Sequence, residues 1–182
     1  MSRLNPVLTA SDLPLAELCA ALLDGELLRL GNCFTSIDQP HDRRARAATL
    51  ALELPDRVIA DRLIAERLSA AWIWGALPAP PSPHQLCASL GARARASNAR
   101  LASVREVAIS PDEIVLIADQ RVTSPVRTLV DLARYRAEID SEVLRTLARI
   151  GAVSLDDCRR ALDRRRNLPN KRRGWSRILE IF

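Results

Sequence analysis

Arg121-Val122-Thr123-Ser124-Pro125-Val126-Arg127-Thr128-Leu129-Val130-Asp131-Leu132-Ala133-Arg134 changes its periodicity halfway along. Val122-Thr123 reads as the end of a strand that folds back on Glu113–Ala118 across Asp119-Gln120, a hairpin signal. Ser124 then suits a helix N-cap, and Pro125 falls at the first helical position, where its missing N–H is no loss. Val126, Leu129, Val130, Leu132 and Ala133 follow at helical spacing, which predicts a helix over 125–135 with that side buried. Arg127 and Asp131 stand four apart, and Asp131 and Arg134 three apart, so they are expected to pair along the helix surface for about a few tenths of a kcal/mol each. With no His, Cys or second carboxylate nearby in the sequence, this pattern points to locking helix against sheet rather than to catalysis.

Upstream, Gln85–Leu90 and Val104–Ile109 also read as strands, entered from Pro78-Ala79-Pro80-Pro81-Ser82-Pro83-His84, which can propagate neither helix nor sheet. Before it, helices are expected over Arg43–Leu54 and Ala65–Ala76, the second presenting Leu68, Ala71 and Trp72 on one face, with Val58–Ala60 a short apolar piece between them. At the N-terminal end, Leu15, Leu18, Cys19, Leu22 and Leu23 give a helix over 14–23, with Asp12 as its expected cap. Gly25 to Asp38 alternates around Gly31-Asn32 and reads as a two-stranded wing. Helix followed by hairpin is the back half of a winged helix-turn-helix. Downstream of the opening stretch, Ile139–Ile150 is helical. Ser154 to Asp157 forms a variant capping box opening a helix to about Arg166, with Leu155, Cys158, Ala161 and Leu162 as its apolar stripe. Asn167–Asn170 breaks it, and a last short helix follows.

The chain has 182 residues, 48% apolar and 27% charged, which suits one ordinary domain or one with a small appendage. Of its 27 basic residues the only lysine is Lys171, so P-loop NTPases, Schiff-base enzymes and lysine-dependent nucleases are excluded; no Glu-x-Lys occurs. The formal net charge of +5 is unevenly placed, since residues 121–182 hold the basic excess while residues 1–120 are slightly acidic. Such an asymmetry suits a polyanion or an acidic partner at the C-terminal end, or a solvated helical surface. Cys19, Cys33, Cys87 and Cys158 stand far apart without a C-x-x-C, the N-terminus has no signal-like pattern and no long apolar run exists. A cytoplasmic protein without membrane attachment is expected.

Four blocks together, Gly25–Asp38, Glu66–Pro81, Arg121–Arg134 and the closing helices, resemble the AbiEi family of type IV antitoxins, common in actinobacteria. The most specific piece is Thr123-Ser124-Pro125-x-Arg127-Thr128-x-x-Asp131, and Ser69-Ala70-Ala71-Trp72 with Gly75 comes second. The resemblance implies a winged-helix DNA reader joined to an α/β antitoxin domain, a transcriptional regulator that represses its own operon and counteracts a nucleotidyltransferase-like toxin. This sequence departs from the pattern in having room for only one helix before the wing, so a truncated reader without a nuclease-like extension is expected.

The expected fold is therefore α+β: a reduced winged-helix-like unit over 1–40, then an antitoxin-like domain over 41–182 with a mixed α/β core, a small sheet and a basic helical C-terminus. The helix at 14–23 offers Glu17, Asp24 and alanines where a recognition helix needs Arg, Asn or Gln. Nucleic-acid contact is expected instead from Arg29 on the wing and from Arg159, Arg160, Arg164, Arg165, Arg166, Lys171, Arg172, Arg173 and Arg177. Arginine forks suit phosphate, and such contacts give salt-dependent binding to the DNA backbone without sequence choice. His84, Cys87, Cys33 and His41 lack a standard zinc spacing, both histidines falling in Pro-flanked loops, so no metal, cofactor or catalytic site is expected. The alternative is a protein-binding or oligomerisation module, such as a homodimer, that has lost DNA binding.

Overall fold

A computed structural model describes residues 7–38, 42–54, 62–94, 98–135, 137–165 and 167–182. Helix α1 (Leu15–Leu23) leads into the antiparallel strands β1 (Leu27–Leu30) and β2 (Cys33–Ser36). Gly31 makes their turn at φ +62°, a conformation that favours glycine, and a Cβ there would push the Glu53 carboxylate, 2.7 Å away, aside. Pro14, not Asp12, occupies the N-cap of α1. The Asp12 carboxylate is spent on its own turn, accepting from the Thr9 N–H and hydroxyl at 2.8 Å each.

Helix α2 (Arg43–Glu53) is capped by Asp42, which accepts from Arg44 N and Ala45 N. The expected apolar piece Val58–Ala60 lies outside the described residues. Where a helix was expected from Ala65, the structure places a two-residue strand, β3 (Ile64–Ala65), at the centre of a sheet, and helix α3 (Arg67–Trp74) begins only afterwards. Ile64 and Ala65 are wholly buried and pair with neighbours on both sides, and that pairing overrides the helical periodicity around them. Gly75, at φ +95°, ends α3 in the left-handed conformation.

The proline-rich connector leads to β4 (His84–Ser89), followed by β5 (Ala102–Val107), a 3-10 turn at Pro111–Glu113, β6 (Ile114–Ile117) and β7 (Gln120–Thr123). The β6–β7 turn is Ala118-Asp119, one residue earlier than expected, with both residues at positive φ as a tight primed hairpin requires. The five-stranded sheet runs β5-β4-β3-β7-β6, with β3–β7 and β4–β5 parallel and the other pairs antiparallel. Helices α4 (Pro125–Ala133), α5 (Ser141–Ile150), α6 (Leu155–Asp163) and α7 (Lys171–Leu179) complete the chain. The capping box at Ser154 and Asp157 forms as read, and α6 ends at Asp163 rather than near Arg166. The fold is α+β.

Strand alternation divides the interior. Leu86, Ala88, Ala65 and Val122 join a large cluster with α2, α3, α4 and the C-terminal helices, while Cys87 and Ile64 face a smaller one with Val107. Trp72 is fully buried, and Trp74 Nε1 donates to Thr123 O at 2.9 Å, tying α3 to the end of β7. The hairpin is not a free appendage. Leu18, Leu27 and Phe34 form a small cluster of their own, but Val7, Leu30 and Cys33 belong to the large one.

Gly151, between α5 and α6, packs where an added Cβ would fall 2.3 Å from Pro125 Cβ, and its φ is ordinary. Gly151→Ala is expected to destabilise the fold by about 1–3 kcal/mol through overpacking, read from urea unfolding midpoints.

Candidate functional site

The family-like motif is a buried joint. Thr123 and Thr128 hydroxyls lie 2.7 Å apart, and the Ser124 hydroxyl accepts from Arg127 N at 3.3 Å. The expectation of surface ion pairs on α4 is corrected here: Arg127 and Asp131 are 5% and 6% exposed. Arg127 Nε donates to Asp131 Oδ2 at 2.7 Å, and its Nη1 reaches Glu113 Oε2 at 3.0 Å and Ala108 O at 3.3 Å. Folding brings Glu113 from the 3-10 turn before β6, a carboxylate that the local sequence around Arg127 could not reveal.

The network spreads from there. Arg165, just past α6, donates to Glu113 Oε2 at 2.5 Å and to Ala108 O at 3.1 Å. Arg134 Nη1 holds Asp131 Oδ1 at 3.0 Å. Arg105 on β5 grips Glu66 with two bonds at 2.5 and 2.6 Å and lies 3.8 Å from Asp131. Burial alone would raise the pKa of Glu113, but hydrogen bonds from Arg165 and Ser110 N and the charges of Arg127 and Arg165 outweigh it and hold the carboxyl below its ordinary range. For Arg127, burial works against the charged form, and Asp131 and Glu113 more than restore it.

The basic tail separates into two groups. Arg165 is committed to Glu113, and Arg177 donates to Ala133 O at 3.3 Å and Tyr135 O at 3.0 Å, closing the C-terminal end of α4. Exposed pairs engage Arg160 with Asp157, Arg164 with Asp112 and Lys171 with Asp163. Arg159, Arg172 and Arg173 are exposed and form no ion pair among the described residues. Arg159, Lys171 and Arg172 rim a groove of about 420 Å³ floored by Leu162 and Trp175. Arg166 lies outside the described residues.

On the wing, Arg29 is exposed and donates to Gly31 O at 3.2 Å. The outer face of α1 carries no cation; Leu15 and Leu23 are 58% and 87% exposed, with Ile37 also exposed. Asn32 N donates to Glu53 Oε1 at 2.6 Å, and Glu53 Oε2 meets His84 Nε2 at 2.5 Å, so one carboxylate joins wing tip to sheet.

His84 is not in a loop, as its neighbouring prolines suggested, but opens β4 and is buried. Ser69 Oγ stands 3.4 Å from His84 Nδ1, completing a Ser–His–Glu line. Ser69 is fully buried and its hydroxyl already accepts from Gln85 N at 2.8 Å, so no substrate reaches it and the line acts as an internal strut. His84 and Cys87, three apart on a strand, point to opposite faces of the sheet and cannot share one metal ion. Among the described residues no group of three or more His, Cys, Asp or Glu side chains could hold a metal. Burial pushes the Cys33 and Cys158 thiols up to about 11 and raises Cys87 as well, leaving them poor nucleophiles. His41 lies outside the described residues. No helix among the described residues is long and apolar enough to cross a membrane.

No family model matches this chain, and no curated protein does. Among solved structures, the crystal structure of the RV2827C protein from Mycobacterium tuberculosis is similar at 15% identity and a TM-score of 0.49, covering 97% of this chain and 71% of that one. A likeness at that level assigns neither family nor function.

Glu113→Gln strands Arg127 and Arg165 without their shared charge, and a loss of about 3–5 kcal/mol is expected in denaturant unfolding. The depressed Glu113 pKa fixes the sign of the pH dependence. Its contribution is complete above the ordinary value of 4.5 and is lost as pH falls through the lower folded value. Wild type should therefore lose stability below about pH 4.5, and Glu113→Gln should show a shallower acid slope.

Proposed function

We propose that this protein is a non-enzymatic, antitoxin-like transcriptional regulator that holds the DNA backbone through its C-terminal arginines and counteracts a nucleotidyltransferase-like toxin. The observation that carries the DNA part is the exposed set Arg159, Arg172 and Arg173, without ion-pair partners among the described residues. Guanidinium groups presented this way meet phosphates without first breaking a pair. Arg160 and Arg164 join them at the cost of weak exposed pairs. Arg165, held by Glu113, and Arg177, which closes the end of α4, are left out of the proposed interface, while Arg29 adds one backbone contact from the wing. The toxin and the autoregulation rest on the resemblance of the Thr123–Asp131 motif and the blocks around it. A cytoplasmic site of action, with cysteines kept as thiols, belongs to the same reading.

A second reading, a protein-binding or oligomerising module without DNA contact, is favoured by α1. A recognition helix presents polar side chains to base edges, whereas this one presents Leu15, Cys19 and Leu23.

A gel shift on the promoter upstream of the protein's own gene, titrated with salt, separates the two. The first reading expects affinity to fall steeply with salt, and Arg159→Ala, Arg172→Ala and Arg173→Ala together to flatten the log–log slope by up to about 0.9 per lost phosphate contact. An unchanged slope in the triple variant overturns the proposed interface. No shift at low salt, with a dimer in sedimentation that Leu15→Glu dissociates, favours the second reading.

A further inference from the structure

We propose that the cavity walled by Arg67, Arg105, Arg134, Tyr135 and Asn170 binds the terminal phosphate of a small phosphate ester. The cavity, about 290 Å³, opens where α3 begins, α4 ends and α7 begins, with β5 along one side. That volume accepts a compact ligand group, and its concave walls distinguish it from the open arginine surface of α6 and α7.

Charge is the first argument. Arg105 is matched by Glu66, and Asp131 on the cavity wall has both oxygens engaged, one by Arg127 and one by Arg134. Glu113 faces Arg127 and Arg165. The three arginines that line the cavity, Arg67, Arg105 and Arg134, thus meet two carboxylates among the described residues, Glu66 and Asp131, and Asp131 is shared with Arg127, so the cavity is left positive. A phosphate dianion would match that excess, and its tetrahedral oxygens can meet guanidinium edges from several directions, which a planar carboxylate cannot.

Arg67 is the second. Its guanidinium lies over the Tyr135 ring at 4.6 Å from the centroid, and its Nε is buried with no hydrogen-bond partner among the described residues. Arg67 lines the cavity and forms no ion pair among the described residues, so an oxyanion in the cavity supplies the countercharge it lacks. Arg67 also sits at φ +48°, an unusual conformation for a side-chain-bearing residue.

Arg134 is the third. Its Nε donates to Pro169 O at 2.9 Å, and Asn170 Nδ2 donates back to Arg134 O at 3.3 Å, so its guanidinium is fixed at the cavity edge. Burial lowers its pKa; Asp131 opposes this, and Arg127, Arg105 and Arg165 add to the lowering, a cation short of negative charge.

Inorganic phosphate on the full chain is the probe, with sodium chloride at matched ionic strength as control. Phosphate should raise the melting temperature and shift the Arg67 Nε–H resonance saturably, and chloride should do neither. Arg67→Gln should weaken phosphate binding by about tenfold or more, the loss of a charge-assisted hydrogen bond. Asn170→Asp, near-isosteric and tolerant of the left-handed φ of +59° at that position, should also abolish binding by adding a second carboxylate beside Asp131 and cancelling the positive excess of the wall. A nucleoside monophosphate should compete with phosphate, and duplex DNA lacking terminal phosphates should not. The Arg159, Arg172 and Arg173 triple variant should bind phosphate as wild type does, which separates this site from the proposed DNA surface. Absence of saturable binding, an equal effect of chloride, unchanged binding in both Arg67→Gln and Asn170→Asp, or displacement by the blunt unphosphorylated duplex overturns the proposal.

Discussion

One guanidinium, that of Arg127, sits almost out of solvent between two carboxylates from different parts of the chain, Asp131 a turn along its own helix and Glu113 in the 3-10 turn before β6. A buried arginine cannot shed its charge, so the fold has to bring it acceptors, and each acceptor recruits further donors. Glu113 takes Arg165 from beyond α6; Asp131 takes Arg134 and faces Arg105, whose partner Glu66 immediately precedes α3. The result spans sheet, central helix and C-terminal helices. Its strength lies in mutual dependence, because removing Glu113 or Asp131 takes the partner from more than one arginine at once.

This constraint sorts the arginines. Those tied to the joint, Arg105, Arg127, Arg134 and Arg165, are parts of the architecture, as are Arg46 on the carbonyls of Trp72 and Leu77 and Arg177 on the end of α4. Arginine suits such roles because its planar fork satisfies several acceptors at once and is weakly hydrated. What remains for contact with other molecules is the exposed set on α6 and α7 and the walled cavity at Arg67. The net charge of the C-terminal third is therefore a mixed signal, part scaffold and part surface.

Much of the fold was legible. The switch at Ser124-Pro125, the capping box at Ser154, the hairpin around Gly31 and the buried faces of α4 and α6 all follow from local chemistry that tertiary structure left intact. The errors share a cause. Ala65, where a helix was expected to begin, instead forms the central strand with Ile64, because pairing on both sides outweighs the local helical preference. Arg127 and Asp131 carry a surface-pair spacing, and only packing against Ala108, Glu113 and Arg165 turns them inward. His84 looked like a loop residue beside proline and is a buried strand residue held by Glu53, thirty-one positions away in the chain. Of the candidate interface, the arginine cluster could be read from sequence, but the division between committed and exposed arginines could not. The Arg67 cavity had no local signal, since its walls come from four separate segments.

The account holds that the Arg127 joint makes the sheet and the C-terminal helices one cooperative unit. Native-state hydrogen exchange comparing wild type with Glu113→Gln tests this most directly. The account predicts that amides of α4, α6 and the β6–β7 hairpin lose protection together and by similar amounts. Loss confined to the hairpin around Glu113, with α4 and α6 as protected as in wild type, would contradict it.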